Sequence, residues 1–161
     1  MTINPLPVVT VNTPPAICAG QSVTLTANGA TTYFWNPASN LSSTSGSTVT
    51  STPLATITYT VTGTDVNGCS SSAQTTVTVN PSPALIVSPN TAICNGLPTT
   101  LTASGANSYA WSPATGLSAT TGSSVQALPP VTTTYTVIGD LNGCTASAQV
   151  TVSINGITLT V

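Results

Sequence analysis

A chain of 161 residues with no Lys, Arg or His and a net charge of −2 is only 1% charged, against ~25% in an ordinary soluble domain. Nothing in it neutralises a phosphate, so nucleic acid is excluded as a partner, and a basic contact with a membrane surface is excluded for the same reason. Proton transfer near neutral pH uses His, Lys or paired carboxylates, and Asp65 and Asp140 are the only side-chain acids; no catalytic residue, enzyme activity or cofactor is expected.

The N-terminal stretch "MTINPLPVV" lacks the basic and continuous apolar regions of a secretory signal. No apolar run approaches the ~20 residues of a membrane helix, so no membrane span is expected. "PPAICAGQ" then leads into a run in which Val23, Leu25 and Ala27 alternate with Thr24 and Thr26. In "TTYFWN" the period of two puts Tyr33 and Trp35 on one face and Phe34 on the other. Ile57, Tyr59 and Val61 alternate with Thr58, Thr60 and Thr62, and Ala73, Thr75, Val77 and Val79 with Gln74, Thr76 and Thr78. Each run has one apolar face and one hydroxyl face, as in a sheet packed on one side only. Asn-Gly at 28–29 and 67–68 marks turns at the spacing of an all-β sandwich, and no segment carries a helical period. The expected fold is all-β with almost no helix.

The second half repeats the first. "PPAICAGQSVTLTANGATTYFWNPASNLSSTSGSTV" returns as "NTAICNGLPTTLTASGANSYAWSPATGLSATTGSSV". Cys18 corresponds to Cys94, Trp35 to Trp111, Tyr59 to Tyr135 and Cys69 to Cys144, with one residue deleted beside the second Asp. Phe34 is replaced by Ala110. Two tandem modules, 1–80 and 81–154, are expected to meet at the proline-rich "VNPSP" (79–83), a short and stiff joint. The tail 155–161 restarts the phrase that opens each module, and reads as a strand of a following repeat or a donor strand.

The phrases "CAGQSVTLTANGA", "WSPATGLSATTGSSV" and "TTTYTVIGDLNGC" resemble the immunoglobulin-like, PKD-like tandem repeats of Bacteroidota surface adhesins associated with gliding and type IX secretion. The resemblance covers nearly the whole chain, twice. It implies two tandem immunoglobulin-like β-sandwich modules of about seven strands, a secreted or cell-surface location, and a role as stalk or adhesive module. The sorting domain that usually ends such proteins does not occur in this sequence. The acidic "WDFGDG"-like motif of PKD domains proper is absent as well, since "NPASN" follows Trp35.

Several residues invite a functional reading. Asp65 and Asp140 stand a few residues before Cys69 and Cys144, across Asn-Gly. Calcium wants six to eight oxygens and several carboxylates, which one Asp per module does not supply, so an Asx-type turn is the stronger reading and no metal site is expected. Trp35 and Trp111 are candidate sugar platforms, but in an immunoglobulin-like sandwich a Trp in this strand is the core plug. Phe34 is the better candidate for a contact with another subunit. Lysine-dependent isopeptide cross-links are impossible, which leaves disulfides and strand exchange as reinforcement.

Four cysteines in an exported chain give two disulfides and three connectivities. One bond per module, Cys18–Cys69 and Cys94–Cys144, is the simplest. In the implied sandwich, however, Cys18 lies before the strand "QSVTLTAN" at one pole, while Cys69 follows the last hairpin turn at the other. A seven-residue strand spans about 23 Å, and disulfide-linked Cα atoms lie within ~7 Å. The favoured alternative is therefore staggered: Cys18 bonds Cys144 across the joint, leaving Cys69 and Cys94 for the preceding and following units. Ile157, Leu159 and Val161 share one face of the tail and are expected to complete a neighbouring sheet by strand addition. The functional expectation is a structural segment of an extracellular filament or adhesin stalk. Its expected partners are copies of itself or neighbouring repeats; the competing reading is a module that binds surface glycan or protein.

Overall fold

The computed structural model describes residues 4–94 and 96–155. It divides into two compact units, Met1–Pro81 and Ser82–Val161. The tail residues Ile157, Leu159 and Val161 lie outside the described residues.

Module 1 contains β1 (Thr10–Val11), β2 (Ile17–Cys18), β3 (Val23–Asn28), β4 (Thr32–Asn36), β5 (Thr48–Ser51), β6 (Ile57–Thr64), β7 (Ser70–Val77) and β8 (Val79–Asn80). One sheet has the order β1-β3-β5 and the other β4-β6-β7, while β2 and β8 pair in parallel. The alternation read in the sequence is the alternation of burial. Leu25, Ala27, Tyr59, Val61 and Val77 turn inward around Trp35, with Val49 from the facing sheet, and all are within 2% of full burial. Each large apolar side chain so enclosed contributes about 1.5–3 kcal/mol. The hydroxyl residues between them face out and pair across strands, as Thr58 does with Thr76 at 2.8 Å.

Module 2 repeats this plan with β9 (Ile86–Val87), β10 (Thr91–Cys94), β11 (Thr99–Ser104), β12 (Ser108–Ser112), β13 (Ser124–Ala127), β14 (Thr133–Leu141) and β15 (Cys144–Asn155). Its sheets have the orders β13-β11-β9 and β10-β15-β14-β12. Here β10 runs parallel to the end of β15, with Cys94 opposite Asn155. Trp111, Tyr135, Leu101, Val137, Val150 and Val152 form its core. Both modules carry a cis proline at the same place, Asn36–Pro37 and Ser112–Pro113. The fold is thus all-β, two tandem immunoglobulin-like sandwiches, and no helix among the described residues is long and apolar enough to cross a membrane.

The central strands of the two modules come close to their neighbours at Gly63 and Gly139. A Cβ at Gly63 would lie 2.6 Å from Val9 Cγ2 and 2.7 Å from the Ala30 Cβ, and one at Gly139 would lie 2.5 Å from a Leu85 methyl. Glycine here lets the first strand of each module pack down on the sandwich.

Candidate functional site

The tryptophans are core residues. Trp35 is fully buried and its Nε1 donates to the Gly46 carbonyl at 2.9 Å; Trp111 donates in the same way to Gly122, also at 2.9 Å. Their indole faces are enclosed, so neither serves as a sugar platform.

The two Asp side chains, so alike in sequence, occupy different positions. Asp65 lies in the loop that joins β6 to β7. Its Oδ1 accepts from the Asn67 and Cys69 amides, both at 2.8 Å, and its backbone N–H donates to the Cys69 carbonyl at 3.0 Å. This is an Asx turn closed around the cysteine. In module 2 the deletion shortens that loop to a two-residue hairpin. Leu141 pairs directly with Cys144, and Asn142 and Gly143 take positive φ of 54° and 83°, the geometry Asn-Gly favours in such hairpins. Asp140 is drawn back onto β14, between Ser108 and Thr145 in register, and the Gly143 amide donates to its carboxylate at 3.2 Å. No group of three or more His, Cys, Asp or Glu side chains among the described residues is arranged to hold a metal ion.

The cysteines fall into two states. Cys18 and Cys144 are disulfide-bonded, whereas Cys69 and Cys94 carry free thiols, Cys69 half-buried and Cys94 exposed. Strand register decides what each can reach within its own module. Cys144 begins β15, and Cys94 stands opposite Asn155 at the far end of that 12-residue strand. At ~3.3 Å per residue the two are about 36 Å apart along the sheet. In module 1 Cys69 immediately precedes β7, and Cys18 is paired with Asn80 at the end of β8, at most about 36 Å away by the same measure. A disulfide tolerates ~7 Å between Cα atoms, so Cys18–Cys69 and Cys94–Cys144 are both out of reach.

On the outer sheet face, Phe34 projects from β4 opposite Thr62 and is 57% exposed. At the equivalent place on β12, Ala110 stands opposite Ile138 and lines a groove of about 1020 Å³ within module 2. The exchange of Phe34 for Ala110 is visible in the sequence, but the groove is not, because Asn107, Thr121, Ile138 and Asp140 reach it from separate segments.

Two mainly antiparallel sheets packed around a buried Trp, with a buried Tyr on the neighbouring strand, define an immunoglobulin-like sandwich, present here twice. Residues 5–83 match the family described as "Ig-like domain CHU_C associated". Module 1 belongs to that family, and module 2 repeats its sequence and strand order. Among solved structures, an I-band fragment from titin is similar at 14% identity and a TM-score of 0.50, covering 95% of this chain and 67% of that one. The insect immune protein hemolin matches at 16% identity and a TM-score of 0.49, covering 92% of this chain and 47% of its own. A comparison with the curated proteins finds no match. The titin likeness shows the fold alone.

The protein is a tandem immunoglobulin-like protein of the cell surface or extracellular space. The disulfide-bonded state of Cys18 and Cys144 belongs to such an oxidising compartment.

Proposed function

We propose that the chain is a load-bearing segment of an extracellular filament or adhesin stalk, in which every joint between successive modules is locked by a disulfide. Cys18 bonds Cys144 within the chain. Cys69 and Cys94 form the corresponding bonds with the preceding and following units. The observation that carries this reading is the pattern of thiol states. The two bonded cysteines occupy opposite poles of the repeat, Cys18 at the end of β2 and Cys144 at the last hairpin, and neither reaches the other cysteine of its own module. The two free thiols occupy the complementary poles, Cys94 at the position of Cys18 and Cys69 at that of Cys144. Two copies brought end to end therefore present a second pair of the same kind, and its oxidation passes two electrons and two protons to an extracellular oxidant.

The modules suit this work. Their sheets are knit by antiparallel ladders such as β14–β15, which runs from Thr133↔Val152 to Leu141↔Cys144. An almost uncharged surface offers little repulsion between neighbouring units. The alternation of Ile157, Leu159 and Val161 supports a second coupling, in which the tail adds a strand to an adjacent module. Non-reducing electrophoresis of native material tests the proposal. A ladder of covalent multimers that collapses to one band on reduction is the expected result, and a single monomer band under oxidising conditions contradicts it.

A further inference from the structure

We propose that Phe34 of one copy docks beside Ala110 in the module 2 groove of a second copy, a non-covalent contact separate from the disulfide coupling. The two positions are the same place in the repeat. Phe34 faces Thr62 across β4 and β6, while Ala110 faces Ile138 across β12 and β14. Each module thus carries one large apolar side chain on this outer face, but on opposite strands. In module 1 that side chain projects from β4 as an aromatic knob, and in module 2 the small Ala110 and Ile138, 46% exposed, both line the groove.

The chemistry of both parts favours a copy of this chain over other occupants. Phe34 is the one exposed ring; both Trp and three of the four Tyr are buried, and Tyr33 is half-buried with its hydroxyl bonded to Ala30. The groove is mainly apolar, and Asp140 is the only carboxylate among its lining residues. With no Lys, Arg or His in the chain, a second copy brings no cation to Asp140 and loses no ion pair by docking. The edge of an aromatic ring is the positive part of its quadrupole and is compatible with a carboxylate at the rim. A saccharide would want an exposed aromatic face on which to stack. Tyr109 does not provide one, since it is 9% exposed and its hydroxyl is bonded to both the amide and the carbonyl of Ala106. Joining module 1 of one copy to module 2 of another is self-complementary if the rotation closes on two copies, and propagates as a fibre if it does not.

The test uses the full chain with Cys69→Ser and Cys94→Ser, so that intermolecular disulfides play no part. Sedimentation velocity over a concentration series should show reversible self-association. Phe34→Ala removes the knob, and Ala110→Gln fills the groove without supplying a new ring. Both positions are exposed, and Phe34→Ala reproduces the residue module 2 already carries. Each variant should raise the dissociation constant about 30-fold, as loss of an aromatic anchor does. An equimolar mixture of the two should associate more tightly than either alone, because each supplies the part the other lacks. A parent that stays monomeric throughout overturns the proposal. So does self-association unchanged in both variants, a mixture no tighter than its components, or saturable binding of a neutral oligosaccharide that Ala110→Gln abolishes while the protein stays monomeric.

Discussion

Tyr59 and Tyr135 occupy the same position in the two modules, yet removing their hydroxyls should have unequal costs. Tyr59 is fully buried; its hydroxyl donates to the Ser39 carbonyl at 2.8 Å and lies 2.9 Å from Ser51 Oγ, also fully buried. Because the phenol proton is committed to Ser39, Ser51 must be the donor in the second bond. Tyr59→Phe therefore breaks two hydrogen bonds and strands a buried hydroxyl, for about 2 kcal/mol. Tyr135 makes the matching bond to the Thr115 carbonyl at 2.7 Å, but Ala127 stands where module 1 has Ser51. Tyr135→Phe then loses one bond and should cost about 1 kcal/mol. Adding Ser51→Ala to Tyr59→Phe removes the stranded donor and should recover about 1 kcal/mol, leaving module 1 with the chemistry of the module 2 variant. Native-state hydrogen exchange, read separately over residues 57–64 and 133–141, follows each module in the intact chain. Equal losses in the two modules, together with no rescue by Ser51→Ala, would refute the reasoning.

Other perturbations follow from the same geometry. Asp65→Ala releases the Asn67 and Cys69 amides, both held at 2.8 Å, and should lower module 1 stability by about 1 kcal/mol, whereas Asp140→Ala, which frees the longer 3.2 Å bond from Gly143, should have a smaller effect; thermal melts compare them. Chelation should leave the melting temperature unchanged, and a fall would indicate a bound cation. Gly139→Ala drives a methyl into Leu85 and should cost about 1–3 kcal/mol, measured by denaturant unfolding. Burial raises the Tyr135 pKa above its ordinary value of 10.0. The unfolded chain therefore loses that proton first, and the stability tied to it is intact below pH 10 and lost as pH rises through the folded value. A spectrophotometric titration should show a late phenolate component that Tyr135→Phe removes.

The faces of the strands were legible in the sequence because a period of two reports burial directly, as at Leu25, Ala27, Tyr59 and Val61. The core role of Trp35 and Trp111 followed from the resemblance to an immunoglobulin-like sandwich, in which a Trp on this strand plugs the core. The distinction between the two Asp residues was not legible. A one-residue deletion reads as a gap in an alignment, but in a hairpin it changes the loop and draws Asp140 onto the strand. The groove beside Ala110 was hidden for a related reason. It depends on Ile138 standing opposite, a cross-strand pairing fixed by the register of residues 28 positions apart. The separation of the cysteines within each module was foreseen from topology, since strand length alone keeps the two poles apart.

The central claim is the staggered coupling, and the chain's own composition supplies a clean test. With no Lys or Arg, trypsin has no site, but cleavage before aspartate cuts only at Asp65 and Asp140. The three fragments carry Cys18 in 1–64, Cys69 and Cys94 in 65–139, and Cys144 in 140–161. After thiol alkylation of the monomer and digestion without reductant, mass spectrometry should find 1–64 joined to 140–161, and 65–139 separate with two alkylated cysteines. A single species in which 65–139 is linked to both of the others would mean that Cys18 and Cys144 are bonded to Cys69 and Cys94 rather than to each other, and would contradict the account.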